Sequence, residues 1–428
     1  MPPKEPAKKV LVEGWKPPNQ IADRRVKFNF WEEKKNRRYP SVIYKPLLAP
    51  DSSETVVHPS EEERRSITPG KIFDFYFEDF ITTVILKAAQ AKYEAEKKKV
   101  TKPPTLEDIR RVILAVLIMI VSPQRWTKLY WAKSPMYQTP LMRKVISRDR
   151  FWALFPLVFS WDILESEEYF NRKFKEVYSP SSYMVLDELM CKYKGRTKNK
   201  VYMPRKKIRT GIKIVSINDS TPEATYLWDF ATYLKDDTRK YPAEGGAPLG
   251  SNVRGLLEYT DSVLPSHCFI TGDRYFGSLE NGNTLNAKNR GFLLSCRADR
   301  PGSLWGPMSE DLEPSETRGL QNKERGITAF AFKDRRATLL LLSNGVRSWG
   351  LEASHTGYDK SPSGRQLEAL PDRERQAWSR PLARDLYNYS MRGSDVFAQR
   401  MEAYRYNRRQ KTWKRAVRLY HFSMALCN

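Results

Sequence analysis

From Ile72 onward the apolar positions recur at helical spacing, with Ile72, Phe73, Phe75, Tyr76, Phe77, Phe80 and Ile81 leading into Val84, Ile85 and Leu86. A Lys-rich stretch from Glu94 to Lys102 separates this helix from the next. Pro103-Pro104-Thr105-Leu106-Glu107-Asp108 reads as a helix start, with Thr105 as cap and Asp108 able to reach back to it. That second helix runs through Val121, and a third begins at Ser147 and carries Phe151, Trp152, Leu154 and Phe155. Together the three predict one helical unit over 71–180.

At Ser181 the period changes. Tyr183-Leu186, Gly211-Ile217, Tyr226-Leu234, Cys268-Thr271 and Phe292-Cys296 are short apolar or aromatic runs bounded by Gly, Pro, Asn and Asp, as strands are. Helical spacing returns between strands at Leu249-Tyr259 and Ser278-Asn289. Three strands followed by alternating helix and strand predict a mixed α/β sheet of RNase H-like order over 181–297. From 298 to 384 the chain is turn-rich, with one hairpin pattern, Ile327-Phe332 and Ala337-Leu342, joined by Lys333-Asp334-Arg335-Arg336. This reads as an insertion domain. Helical pattern resumes at Ser394 and continues to Asn428, so 385–400 closes the core and 401–428 returns to the helical unit. Residues 1–70, rich in proline and charge without a sustained period, read as a disordered basic arm.

Composition narrows the function. With 428 residues and 40% apolar content the chain can build more than one core, and 74 Lys+Arg against 50 Asp+Glu leave a formal charge of +24. An acidic partner is expected, nucleic acid first, because cations that neutralise phosphates gain affinity by releasing counterions. The longest apolar run, Val112 to Val121, is too short to span a bilayer, and no lipidation signal is visible, so no membrane is expected as partner. Met1-Pro2-Pro3-Lys4-Glu5 carries no apolar signal region, which predicts a reducing intracellular compartment. Cys191, Cys268, Cys296 and Cys427 lack paired spacing and the four histidines are scattered, so no structural zinc is expected.

Against this basic background three aspartates draw attention. Asp187 follows Tyr183-Met184-Val185-Leu186, Asp273 ends His267-Cys268-Phe269-Ile270-Thr271-Gly272, and Asp395 follows Arg392-Gly393-Ser394 at an expected helix start. A single Asp at a strand end is most often a turn residue. Three in a mixed-sheet context on a basic chain point to carboxylates that converge on a pair of divalent cations about 4 Å apart. Asp187 and Asp273 would be neighbours, because the first and fourth strands of such a sheet lie side by side. Glu188 should point to the opposite face from Asp187 by strand alternation and is left out of the site.

Several spaced motifs bear a family resemblance. Leu186-Asp187-Glu188-Leu189, Lys194-Gly195-Arg196, Tyr202-Met203-Pro204-Arg205-Lys206 and Gly211-Ile212-Lys213 resemble the catalytic opening of piggyBac transposases. Gly272-Asp273-Arg274-Tyr275-Phe276-Gly277-Ser278, Tyr389-Ser390-Met391-Arg392-Gly393-Ser394-Asp395 and Arg408-Arg409-Gln410-Lys411-Thr412-Trp413-Lys414-Arg415 continue it in order over about residues 70 to 428. The resemblance implies an RNase H-like core interrupted by an insertion and flanked by a helical DNA-binding and dimerisation region. It implies Asp187, Asp273 and Asp395 as catalytic and metal-holding residues, with two Mg²⁺ ions for which Mn²⁺ can substitute. The expected partners are double-stranded DNA at transposon ends or TTAA-type sites and a second copy of the chain, and the expected location is the nucleus. Leu189, Arg274 and Ser394 depart from the family pattern without removing a ligand.

The family's Cys-rich zinc segment does not follow, which implies a different mode of DNA recognition, a partner that supplies the missing module, or a host task. Lys194, Arg196, Arg205, Lys206, Lys207, Arg209 and Lys213 are expected near the scissile phosphates, with a solvated turn as the alternative for the 205–209 stretch. Arg408, Arg409, Lys411, Lys414 and Arg415 are expected to face DNA while aromatics of the last helix pack inward, the alternative being a merely charged outer face. Trp126, Tyr130 and Trp131 read as core. Two functions follow: a transposase acting by metal-dependent strand cleavage and transfer in transposition, excision or programmed elimination, and a domesticated, catalytically silent DNA-binding or chromatin protein.

Overall fold

The computed structural model describes most of residues 67–344 and all of 382–428. Residues 1–66, 97–101, 138, 182, 205, 221–224, 236, 238, 240–252, 298–303, 310–311, 313–316, 323, 334–337 and 345–381 lie outside the described residues. Most of the expected N-terminal arm, Arg205 and the hairpin connection fall there. So does much of the stretch read as an insertion.

The helical unit opens with α1 (Pro69–Asp79), which a π-helical segment, Phe80–Ile85, joins to α2 (Leu86–Ala95). α3 (Leu106–Val121) starts on the capping box read from the sequence: Asp108 N–H donates to Thr105 Oγ1 at 3.2 Å, and Thr105 N–H to Asp108 Oδ2 at 3.1 Å. Ser147 caps α4 (Arg148–Val158) by a single bond, its Oγ accepting from the Arg150 N–H at 3.3 Å. A helix not anticipated, α5 (Ile163–Val177), follows, capped by Asp162. Its buried stripe includes Ile163, Phe170, Phe174 and Val177. These helices meet through aromatic rings: Phe77 packs on Phe170 and on Phe422 of the last helix, and Phe80 lies edge-on to Trp161. Truncating a ring such as Phe77, which is 1% exposed, would cost about 3–5 kcal/mol.

One mixed sheet carries the rest. Its strands are β1 (Tyr183–Lys192), β2 (Lys200–Tyr202), β3 (Thr210–Asp219), β4 (Leu227–Thr232), β5 (Phe269–Gly277), β6 (Phe292–Cys296), β7 (Thr317–Asn322), β8 (Ile327–Lys333) and β9 (Thr338–Ser343). The order is β2-β3-β1-β5-β6-β9-β8-β7, with β4 also paired to β3. β1, β3 and β4 form the antiparallel meander, while β5 lies parallel to β1 and β6 parallel to β5. The crossover helices are α6 (Val253–Val263) and α7 (Leu279–Ala287), the latter capped by Ser278. This is the RNase H-like order expected from the pattern, with longer strands: β1 and β5 run on through their aspartates.

The hairpin of β8 and β9 forms as read, but β9 pairs antiparallel with β6. The described part of the stretch read as an insertion therefore extends the central sheet, so the boundary drawn at 297/298 does not coincide with the sheet edge.

The C-terminal pattern divides into two helices. α8 (Leu382–Tyr404) starts well before Ser394, and α9 (Trp413–Cys427), capped by Thr412, follows a non-helical segment. Asp395 is thus mid-helix rather than at a helix start. Gly393 sits inside the helix, where its role is close approach: a Cβ there would lie 2.4 Å from the carbonyl oxygen of Asp219 and 2.8 Å from Ser220 Cα. Only glycine lets α8 cross the end of β3 at this distance. Ser220 Oγ donates to Ser390 O at 2.6 Å and ties the crossing down.

Candidate active site

The site lies where two parallel strands stop pairing. β1 and β5 are in register from Tyr183↔Phe269 to Leu186↔Gly272, and the next residues on the two strands are Asp187 and Asp273. The carboxyl ends of parallel strands leave a crevice in which open α/β sheets place ligands. Here the crevice holds three carboxylates, Glu188 joining the expected Asp187 and Asp273: oxygens of the three all lie within 4.8 Å of one another. Glu188, left out on strand alternation, is brought by the structure into this cluster. Alternation fixes the direction of Cβ, whereas the glutamate head sits two further carbons out and can turn back once the neighbouring strand has left. The adjacent acid is the signal that the sequence did contain.

Surrounding groups hold this cluster. Asp187 Oδ1 accepts from the Glu188 N–H at 2.7 Å and from Lys206 Nζ at 3.2 Å. Lys206 Nζ also donates to Glu188 O at 3.2 Å and lies 3.6 Å from Glu188 Oε2. The other oxygen, Asp187 Oδ2, accepts from Ser394 Oγ at 2.7 Å, a bond made possible by the close passage of α8. Asp273 Oδ1 accepts from the Tyr275 N–H at 2.8 Å. Lys213, buried, donates to Tyr275 O–H at 3.1 Å with its ammonium between the Tyr233 and Tyr275 rings. Ser394 and Tyr275 had no individual signal in the sequence.

Asp395 is placed differently from the other two aspartates. Its carboxylate does not join the three within that radius, and Asp395 is exposed, one residue from Ser394. It is still in electrostatic range: crowding by protein and then the Asp187 charge push its carboxyl above the usual range.

Burial first, and mutual repulsion after it, raise Glu188 and Asp273. Burial, then the charges of Asp187 and Asp273, push Glu188 up to about 7. Asp273 is raised chiefly by burial, against its bond from Tyr275 and with Asp187 adding to the rise. Lys206 is raised because Asp187 and Glu188 outweigh its burial, and Lys213 is lowered because its burial outweighs Glu188. Two ammoniums, Lys206 in contact and Lys213 beside Tyr275, thus stand against three carboxylates. Glu188 Oε1 is buried without a hydrogen-bond partner. Hard carboxylate oxygens, one of them unpartnered, fit Mg²⁺ or Mn²⁺.

The basic residues divide into three groups. Lys206 and Lys213 are turned into the carboxylate site, and Lys207 pairs with Glu402 at 2.6 Å. Arg408 is spent on backbone, donating to Gln124 O and to Arg125 O at 2.9 Å, while Arg415 lies 5.6 Å over the Phe155 ring. Lys194, Arg196, Arg209, Arg409, Lys411 and Lys414 are exposed. Tyr130 is core as expected and Trp131 is partly buried, but Trp126 is 53% exposed with Arg125 5.0 Å and Lys128 5.7 Å from its ring.

Comparison with known proteins bears directly on these features. A family model described as Transposase IS4 matches residues 68–428. Among solved structures, the chain resembles the cryo-EM structure of a piggyBac transposase synaptic complex with hairpin DNA, with a TM-score of 0.67 and 17% sequence identity, over 86% of this chain and 75% of that one. At that identity the likeness is one of fold, and it includes the RNase H-like core.

Proposed function

Since this chain belongs to the Transposase IS4 family, we propose that it cuts and joins DNA strands at the cluster of Asp187, Glu188 and Asp273. The observation that carries the reading is the convergence of three carboxylates within 4.8 Å at the end of a parallel ladder, one oxygen lacking any partner. Asp187 and Asp273 would hold divalent cations, Mg²⁺ or Mn²⁺, with Glu188 as a further ligand and Asp395 closing the site from α8 when DNA is bound. When bound, such ions supply an activated oxygen nucleophile and stabilise the leaving oxygen.

The chain's own groups do the remaining work. Ser394 and Lys206 fix the two oxygens of Asp187, and the Tyr275 N–H fixes Asp273. Lys206 neutralises part of the cluster and is placed to meet a phosphate as the strand enters. The exposed Lys194, Arg196, Arg209, Arg409, Lys411 and Lys414 supply sequence-independent phosphate contacts, in keeping with the charge of +24. Double-stranded DNA is the substrate, the active form is a homodimer, and the protein works in the nucleus.

The test is strand cleavage of plasmid DNA with Mg²⁺ or Mn²⁺. Wild type should nick, while Asp187→Asn and Asp273→Asn should lose nicking by several orders of magnitude yet retain DNA binding. A second reading, the silent DNA-binding protein, has its own support: Asp395 stands apart, and a lysine ammonium already sits on Asp187 and Glu188. Salt-sensitive DNA binding by wild type with no nicking under either metal would favour it.

A further inference from the structure

A cavity lies at the carboxyl end of β1, beyond the carboxylates. The strand ends at Lys192, and the turn after it faces the segment between α8 and α9 across this cavity of about 950 Å³. Six cations line it, Lys192, Lys194, Arg405, Arg408, Arg409 and Lys411, and none of its lining residues is acidic. Arg408 is committed to the backbone of Gln124 and Arg125 and so anchors the wall. Arg405 differs: its Nε is buried with no hydrogen-bond partner. A buried guanidinium N–H ordinarily has an acceptor, so Arg405 is free to donate to an anion that enters the cavity. The rings of Tyr193 and Tyr406 add aromatic surface, and Tyr193 O–H is held by Lys411 O at 3.3 Å.

We propose that this cavity seats an unpaired nucleotide stretch of the DNA substrate, with phosphates on Arg405, Lys192 and Lys194 and a base against the tyrosines. The inference rests on the reading of the chain as a DNA-cutting protein. Shape selects the ligand. A duplex presents phosphates on a convex cylinder that can touch the rim of a cavity but not fill it, whereas a nucleotide freed from pairing can enter and stack. Position agrees. Lys192 is five residues along the strand from Asp187, about 17 Å at the rise of a β-strand. That distance corresponds to about five nucleotides at the rise of a paired strand, and to fewer for an extended unpaired one. A strand cut at the carboxylates would therefore reach the cavity within about five nucleotides.

The experiment uses the full chain in EDTA, where no cutting occurs, and fluorescence anisotropy of a labelled oligothymidylate of about ten nucleotides, within the span such grooves cover. A duplex of the same length serves as comparison. Arg405→Gln, and separately the double change Lys192→Gln with Lys194→Gln, should weaken the single strand roughly tenfold and the duplex roughly twofold. Each cation removed should lower the salt slope for the single strand by about 0.7. Equal losses on both DNAs, or none on the single strand, overturn the proposal. If Arg405→Gln fails to fold, the exposed lysine pair decides the question. Wild type that nicks DNA but shows no cavity-dependent single-strand binding refutes the cavity alone. Wild type that binds the single strand through the cavity but never nicks refutes the catalytic reading alone.

Discussion

Glu188→Gln should make the metal-free protein more stable, although Glu188 is almost fully buried. The substitution keeps the side chain's shape and removes one of three mutually repelling charges. In the folded chain Glu188 is pushed up to about 7 from an ordinary value of 4.5, first by burial and then by Asp187 and Asp273. At about 1.36 kcal/mol for each pH unit of displacement, holding Glu188 ionised costs the fold about 3 kcal/mol. The pH dependence follows from the sign of the displacement. Below about 4.5 the carboxyl is protonated in both states and costs nothing. Between about 4.5 and 7 the unfolded chain gives up this proton while the folded chain keeps it, so stability falls as pH rises, and above 7 the whole cost is present.

Urea unfolding followed by tryptophan fluorescence, in EDTA at pH 8, should therefore show Glu188→Gln more stable than wild type by about 1–3 kcal/mol, the difference vanishing near pH 4. Millimolar Mg²⁺ should raise the wild type and narrow the gap, because an ion bound only to the folded state stabilises it. A variant less stable than wild type at pH 8 without metal, or a difference independent of pH, would refute the description of the cluster as electrostatically strained.

Other residues give further expectations. Gly393→Ala forces α8 away from Asp219 and should cost about 1–3 kcal/mol in urea unfolding, while nicking falls because Ser394 loses its reach to Asp187. Ser394→Ala should cost about 1–3 kcal/mol as a lost bond to a charged acceptor, and should weaken Mn²⁺ binding measured by calorimetry. His421 is fully buried, bonded to Ser166 through Nδ1 and to Thr232 through Nε2, and burial holds it down at about 3. Its contribution to stability is full above about 6.5 and is lost as pH falls toward 3, so acid titration of His421→Asn should show a smaller loss across that window than wild type.

Much of the core's order can be read from the chain because its strands announce themselves by short β-branched and aromatic runs between turn residues, as Gly211–Ile217 does. Thr105 and Ser147 likewise announce helix starts through cap chemistry that acts within three residues. What escapes such reading is long-range. α5 hides because charged residues such as Glu165, Glu168, Arg172 and Lys175 dilute its apolar stripe, although Asp162 is a usable cap signal. The pairing of β9 with β6 depends on two segments far apart in sequence. The need for glycine at Gly393 shows only once the Asp219 carbonyl beside it is known. For the site, Asp187 and Asp273 follow from the strand order, whereas Glu188 is missed by a rule about Cβ direction that does not bind a long side chain. The placement of Asp395 depends on how α8 passes the sheet, which no local pattern encodes.

The most direct test of the carboxylate cluster as the seat of metal-dependent cutting is an anomalous difference map from crystals of the full chain soaked in Mn²⁺. A strong peak among the oxygens of Asp187, Glu188 and Asp273, absent in Asp187→Asn, is expected. A map with no peak there under saturating Mn²⁺, with Lys206 still in contact with Asp187 and Glu188, would contradict it.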